Sequence, residues 1–193
     1  GFSEAYDVSF LDASGKQQRP WMTSSGVTTR LIGTVIVTHG DAKGLRLPPT
    51  LAPIQVVIVP IYKTDDEKSK VLDACKSIAT ACVGLRMKLD ARDEKSPGFK
   101  FNEWEVKGVP VRLEIGPKDL EKQQATVVRR DTGSKEAMPL SSVTTASLQA
   151  MLDQVQKGLY DQAKAFMDAH THTVDSLADF EKIIEGDGGF VWA

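Results

Sequence analysis

The feature that most constrains the fold is an unbroken apolar run, Val-Val-Ile-Val-Pro-Ile, within residues 55–61. A strand with one solvent-facing side alternates apolar and polar residues. A run without alternation is typical of a strand that is buried on both faces. Thr64 and the three acidic residues that follow it predict a helix start, because a hydroxyl caps the first turn and acids favour it. The segment therefore predicts a central strand followed by a covering helix.

Strand and helix patterns alternate along the rest of the chain, and this alternation predicts an α/β fold with a mixed sheet and helices on its faces. A hairpin is expected near the start, with a strand over 5–10 and its partner within 17–23. The later predicted strands are 85–91, 111–115 and 125–130, and the predicted helices are 99–107, 119–123, 143–169 and 176–184. Pro48, Pro49 and Pro53 indicate a linker between domains.

Composition excludes several functional classes. The net charge is -2, whereas proteins that bind duplex phosphates non-specifically are usually basic. Any nucleic acid must be read by a few placed side chains or a local patch. No apolar run reaches the roughly 18 residues of a membrane span. Cys75 and Cys82, two helical turns apart, predict free buried thiols of a cytosolic protein, and no metal site is expected.

Three stretches carry a family resemblance. Residues 25–33, continued by 39–49, resemble motif 3 of a class II aminoacyl-tRNA synthetase in its prolyl form. Residues 52–61 are similar to the entry of that family's anticodon-binding domain, and the long run 96–119 is its most specific part. Together the stretches resemble the C-terminal portion of the prolyl-tRNA synthetases, in the archaeal/eukaryotic-type branch that some bacteria also use. Met22 and Ser25 stand where the family usually has Gln and Trp.

The resemblance implies a domain organisation. Residues 1–50 correspond to the end of a class II antiparallel-sheet catalytic domain with motif 3, and residues 51–142 to a mixed-sheet α/β anticodon-binding domain. Residues 143–193 correspond to a linker helix and the start of a C-terminal domain. Motifs 1 and 2 lie upstream in the family, so we expect the sequence to be a segment of a longer protein. The intact protein is expected to be cytoplasmic. It is also expected to be a homodimer, because motif 1 forms the dimer interface in class II enzymes.

The resemblance also implies a reaction, in which ATP with Mg²⁺ activates proline and the product is transferred to tRNA(Pro). It makes Arg30 the catalytic arginine that holds the ATP γ-phosphate, and Thr28 a neighbour of the nucleotide. Arginine suits this role because its planar fork binds phosphate oxygens bidentately and keeps its proton. Without the resemblance, Arg30 reads as a surface arginine at the start of an apolar helix.

Anticodon recognition is the second implied function. Proline codons begin with two cytosines, so the matching anticodons carry two adjacent guanines. Guanine offers N1–H and N2–H donors to a carboxylate, and O6 and N7 acceptors to Arg or Lys. By the resemblance, Glu105, Arg112, Asp119 and Lys135 occupy the guanine-recognising positions of tRNA(Pro) binding. Read without the resemblance, they are solvated charges at strand and helix ends.

Two further interpretations remain open at this point. The chain is alternatively a non-catalytic, synthetase-like anticodon-binding module, although such a module has no need of the ATP-contacting residues 28–30. A scaffold role for the long C-terminal helix is disfavoured by its polar outer face and modest length. Phe101 and Trp104 can stack on bases, but their helical spacing is more typical of core residues.

Overall fold

The computed structural model describes residues 1–192 and divides the chain into two compact units, Gly1–Thr34 and Val35–Ala193. The helices are α1 (Phe2–Ala5), α2 (Arg30–His39), α3 (Asp65–Ala81), α4 (Pro97–Val106), α5 (Pro117–Glu121), α6 (Thr145–Ala169) and α7 (Leu177–Glu185), with a 3₁₀ turn at Leu140–Ser142. The strands are β1 (Phe10–Leu11), β2 (Gln17–Gln18), β3 (Val56–Pro60), β4 (Met87–Leu89), β5 (Val111–Ile115), β6 (Gln124–Arg129), β7 (Lys135–Pro139), β8 (Thr171–Thr173) and β9 (Phe190–Trp192). The domain boundaries at residues 50 and 142 stay a prediction.

The first unit contains the predicted hairpin in a shorter form. β1 and β2 pair antiparallel, with Phe10 opposite Gln18. The predicted strand over 5–10 is wrong except at Phe10, because Ala5 ends a single helical turn, Phe2–Ala5, and residues 6–9 form a turn and irregular chain. Asp12 organises the hairpin turn by accepting hydrogen bonds from the Ser14 hydroxyl and from backbone amides, and these bonds lower its pKa to about 2. The turn is thus set by a local side-chain network.

The second unit is built on a five-stranded mixed sheet in the order β4-β3-β5-β6-β7. β3 lies parallel to β4 and to β5, and β6 and β7 continue the sheet antiparallel to their neighbours. The predicted α/β class with a mixed sheet is confirmed. Every residue of β3 is buried, because the strand is internal and helices cover both faces. β7 was not predicted at all.

The two faces of the sheet carry separate apolar clusters. On one face α3 and α6 pack over the strands, through buried residues Val56, Ile58, Val71, Cys75, Val111, Leu113, Ala125, Val127, Leu148 and Leu152. On the other face α4 packs through Trp104 against Val57 and Val59. α4 covers only part of that face, and the remainder, along β5, β6 and β7, carries charged side chains. Cys75 and Cys82 are free and buried as predicted, and burial raises the pKa of Cys75 to about 12.

α3 begins where the sequence predicts. The Thr64 side chain accepts a hydrogen bond from the Glu67 amide at 3.3 Å, and Glu67 Oε2 accepts one from the Thr64 amide at 3.3 Å. This reciprocal pair satisfies amides that have no partner inside the helix.

Removing this cap gives a test of the predicted helix start. Replacing Thr64 by Ala is expected to lower the free energy of unfolding by about 1 kcal/mol, because a first-turn amide loses its acceptor. Urea denaturation followed by circular dichroism measures the change. Thr64→Ser keeps the hydroxyl and is the matched control. A Ser variant as unstable as the Ala variant would contradict the capping role.

The C-terminal part of the second unit contains the predicted helices and a small parallel pair of strands. α6 buries Leu148, Leu152, Val155 and Leu159 along one face, as its pattern predicts. β8 pairs parallel with β9, with His172 opposite Val191. Within residues 1–192, no helix combines the length and the apolar character needed to cross a bilayer.

Candidate nucleic-acid interface

The charged part of the sheet surface lies beside α4, on β5, β6 and β7. In the sheet register, Arg112 on β5 lies opposite Val128 on β6, and Val128 lies opposite Lys135 on β7. All three share the face that carries Val57, since Val57 on β3 pairs with Arg112. Strands lie about 4.8 Å apart, so the backbones of Arg112 and Lys135 are separated by roughly 10 Å. Both long side chains can therefore reach the same point above the sheet.

Glu114 joins these two cations. Its side chain lies on the same face as Arg112, two residues along β5, and Glu114 is only 3% exposed. Oε1 accepts from Arg112 Nε at 3.0 Å and lies 2.9 Å from Nη2, while Oε2 accepts from Lys135 Nζ at 2.7 Å. A single buried carboxylate thus holds both predicted base-reading cations.

α4 contributes the wall behind Arg112. The Arg112 guanidinium lies 4.6 Å from the centroid of the Phe101 ring, and its Nη1 donates to the Phe101 carbonyl at 3.3 Å. The Trp104 side chain is buried, and its Nε1 donates to Asp90 Oδ2 at 2.7 Å. Trp104 is part of the apolar cluster under α4, so its prediction as a core residue is confirmed, whereas Phe101 is half-buried and packs against that cluster.

Glu105 lies in the last turn of α4, and its side chain remains 31% exposed. Lys43 faces it, with Nζ 3.4 Å from Glu105 Oε1. The loop that carries Lys43 is fixed by Arg130, whose two terminal nitrogens bind the Asp41 carboxylate at 2.8 and 2.6 Å and whose Nε donates to the Glu105 carbonyl at 2.9 Å. The hydrogen bond from Arg130 holds the pKa of Asp41 well below its usual range.

These side chains surround a cavity of about 220 Å³. Its lining includes the carboxylate Glu105 and four cationic side chains, Lys43, Arg112, Arg130 and Lys135. Arg129 also borders it, but the Arg129 side chain lies on the opposite face of the sheet, where its Nη1 donates to Gln154 on α6. The four cations contact three carboxylates, since Lys43 faces Glu105, Arg112 and Lys135 bind Glu114, and Arg130 binds Asp41. This is a group of a few placed side chains, which is one of the two arrangements that the composition allows if the chain reads a nucleic acid.

Asp119 does not reach this cavity. It lies in the first turn of α5, beyond the C-terminal end of β5, whereas Arg112 lies near that strand's beginning. Asp119 Oδ2 accepts from the Gly116 amide at 2.9 Å, and within residues 1–192 its Oδ1 makes no hydrogen bond. The structure thus brings Glu105, Arg112 and Lys135 together and places Asp119 apart. The base-reading role of all four stays a prediction.

The predicted ATP-contacting residues lie in the first unit. Arg30 is the exposed first residue of the ten-residue helix α2, and the exposed Thr28 precedes it by two positions. The Leu31 amide donates to the Thr28 carbonyl at 3.1 Å, so Thr28 forms part of the turn that starts the helix. A helix N-terminus and a guanidinium both favour phosphate oxygens.

Sequence reasoning missed Lys43 and Arg130, which line the cavity, and Glu114, which binds two of its cations. The sequence could have predicted the position of Glu114, because a residue two positions after Arg112 on the same strand faces the same side of the sheet. Lys43 and Arg130 carried no comparable signal. Lys43 lies in an irregular loop, and Arg130 acts on Asp41 from 89 positions along the chain.

Comparisons with known proteins bear on what this pocket does. A family described as an anticodon binding domain matches residues 55–150. The proline–tRNA ligase of Flavobacterium johnsoniae is 46% identical over 194 residues, which span 100% of this chain and 39% of that protein. The proline–tRNA ligase of Chloroflexus aurantiacus is 48% identical over 197 residues, or 100% of this chain and 41% of that protein. The chain thus spans about two fifths of the length of the curated relatives it matches.

Proposed function

Because the chain belongs to the proline–tRNA ligase family, we propose that its cavity beside α4 reads the guanines of the tRNA(Pro) anticodon. The observation that carries this proposal is the grouping of Glu105, Arg112 and Lys135 around one cavity. A carboxylate accepts from guanine N1–H and N2–H, and cationic donors serve O6 and N7. Adenine lacks the N1–H and N2–H donors and the O6 acceptor, so the same groups disfavour it.

Single-stranded loops suit such a site because their unstacked bases expose the hydrogen-bonding edges. The remaining cations of the lining, Lys43 and Arg130, add positive charge around the cavity, which favours the phosphate backbone without reading sequence. Asp119 is proposed to read a second base near the other end of β5, through its unused Oδ1.

The direct test is binding of this chain to an anticodon stem-loop with two adjacent guanines and to the same loop with adenines in their place. We expect about tenfold or greater preference for the guanine loop, from one or two base contacts worth roughly 1–3 kcal/mol each. Fluorescence anisotropy at fixed salt measures both dissociation constants. Equal affinity for the two loops would refute guanine reading.

For the intact protein, we propose proline–tRNA ligase activity in the cytoplasm, as a homodimer. The proline carboxylate attacks the α-phosphorus of ATP, which binds with Mg²⁺, and displaces pyrophosphate; the prolyl group of the resulting adenylate then passes to tRNA(Pro), and AMP leaves. Arg30 is proposed to bind the γ-phosphate, with Thr28 beside the nucleotide. The support from this chain is the exposed position of Arg30 as the first residue of a ten-residue helix, where the helix dipole and the guanidinium both favour phosphate. No residue of the chain is assigned to Mg²⁺.

Replacing Arg30 by Ala in the full-length protein tests this proposal. Loss of a charge-assisted phosphate contact is expected to cost about 1.5–3 kcal/mol in ATP use, while tRNA binding stays unchanged. ATP-dependent formation of prolyl-adenylate is the measurement. Lys16→Ala, on the exposed hairpin of the same unit, is the control and should have no effect. Normal adenylate formation by the Arg30 variant would remove the assignment and would favour the alternative of a non-catalytic anticodon-binding module.

A further inference from the structure

We propose that Glu114 is a positioning residue for guanine reading, and that it makes the cavity selective for a base at the expense of general affinity for RNA. The inference rests on the proposed anticodon function. It follows from the bridge that this one carboxylate forms to Arg112 on β5 and Lys135 on β7. Glu114 itself does not touch the base.

Glu114 fixes which donors remain for a ligand. A guanidinium carries five N–H donors and an ammonium three. Glu114 accepts a hydrogen bond from Arg112 Nε and pairs with Nη2 at 2.9 Å, and the Phe101 carbonyl accepts from Nη1. Within residues 1–192, three of the five Arg112 N–H donors and two of the three Lys135 donors therefore make no hydrogen bond. These remaining donors are held in one arrangement by a carboxylate that solvent barely reaches.

Positioning matters most for Lys135, whose side chain is 59% exposed and flexible. A lysine side chain is among those that lose the most rotamer entropy when they are ordered. The contact of Glu114 Oε2 with Nζ, at 2.7 Å, orders the side chain before any ligand arrives. Binding a base then requires less additional ordering, which is the advantage of a preorganised site.

Glu114 also limits the positive charge of the cavity. Removing its charge leaves Arg112 and Lys135 uncompensated, which strengthens attraction to any phosphate backbone. Phosphate contacts carry no sequence information, so this gain does not depend on which base is present. Removal of the Glu114 charge should therefore lower base selectivity and raise general affinity for RNA. Simple loss of structure would lower both. Glu105, which is partly exposed, remains the carboxylate available to guanine.

The test compares Glu114→Gln with the unaltered chain on the guanine and adenine stem-loops. The preference for guanine should fall about tenfold, while affinity for the adenine loop stays the same or rises. Glu136→Gln is the matched control: it removes the same charge from an exposed position on β7, next to Lys135 in sequence, and should leave the preference intact. In the Glu114→Gln background, Lys135→Ala should cause no further loss of preference.

Several outcomes would overturn the inference. An unchanged guanine preference in Glu114→Gln would mean that Arg112 and Lys135 adopt their positions without Glu114. An equal loss of affinity for both loops would mean that Glu114 only supports the fold. If circular dichroism shows that Glu114→Gln does not fold, Glu114→Asp is measured instead. It keeps the charge but is one methylene too short to reach both cations, so full preference in that variant also rejects the role. Absence of any preference in the unaltered chain would instead be a failure of the proposed anticodon function.

Discussion

Replacing Glu105 by Gln is expected to reduce the preference for a guanine-bearing stem-loop about tenfold or more. The amide keeps the shape of the side chain but presents a donor where guanine offers N1–H or N2–H donors. Each correct base contact is worth roughly 1–3 kcal/mol of discrimination. Arg112→Lys should cost a similar amount, because it keeps the charge and loses the planar fork. Affinity for a loop without guanines should barely change in either variant, since the phosphate contacts remain.

The separation of Asp119 from the cavity sharpens this experiment. β5 is five residues long, so its two ends lie roughly 15 Å apart. Effects at such distances usually add. Losses from Glu105→Gln and Asp119→Asn should thus sum if each residue reads its own base, whereas those from Glu105→Gln and Arg112→Lys should not.

Lys122→Ala, at the end of α5, serves as the control and should lower affinity for all loops alike or do nothing. If variants of Glu105, Arg112 and Asp119 lose equal affinity on guanine and adenine loops, these residues support the fold or the backbone contacts. Base reading would then have to be assigned to other side chains.

The sequence predicted the fold best where local signals and burial agree. β3 and α3 were located because an internal strand is apolar throughout, and because Thr64 and Glu67 form a capping box at the start of the helix. β7 was missed because its sequence, Lys-Glu-Ala-Met-Pro, lacks β-branched and aromatic residues. Its strand conformation comes from pairing with β6, which is a tertiary interaction.

The sequence could predict which residues belong to the site but not how they are arranged in space. The resemblance supplied Glu105, Arg112, Asp119 and Lys135, but their grouping depends on the register between β6 and β7. A shift of that register by one residue would turn Lys135 to the opposite face. Neither the bridging by Glu114 nor the separate position of Asp119 follows from sequence spacing alone.

The pocket also depends on a buried polar centre under α4, and this gives the largest expected effect on stability. Asp90 is 2% exposed and accepts from Arg92 Nε at 2.8 Å, Arg92 Nη2 at 2.7 Å and Trp104 Nε1 at 2.7 Å. Replacing Asp90 by Ala leaves the Trp104 N–H unpaired in the core and Arg92 without its main partner. The free energy of unfolding is expected to fall by about 2–4 kcal/mol, because a buried N–H loses its acceptor and the Arg92 side chain, which is 36% exposed, loses a charge-assisted hydrogen bond.

The pH dependence of the fall in the free energy of unfolding of Asp90→Ala distinguishes the loss of a charge from the loss of packing. Hydrogen bonds from Arg92 and from Trp104 lower the pKa of Asp90 from 3.8 to about 2. Because the folded pKa lies below the unfolded one, the ionised form contributes stability above the unfolded pKa. This contribution, about 2 kcal/mol, disappears as pH falls through about 2. Urea denaturation of the unaltered chain and of Asp90→Ala at neutral and acidic pH should therefore show a difference that narrows in acid.

Asp73→Ala is the matched control for this measurement. Asp73 is an exposed acid on α3 whose nearest cation, Lys76, is 3.9 Å away, so its removal should change the free energy of unfolding by less than about 0.5 kcal/mol at either pH. A difference between the unaltered chain and Asp90→Ala that stays constant from neutral pH to pH 2 would mean that the Asp90 charge contributes nothing. The loss would then reflect packing under α4. If the difference in free energy of unfolding narrows in acid, the Asp90 carboxylate that binds Arg92 and Trp104 stabilises the fold through its charge, and it holds α4, which carries Glu105, in place.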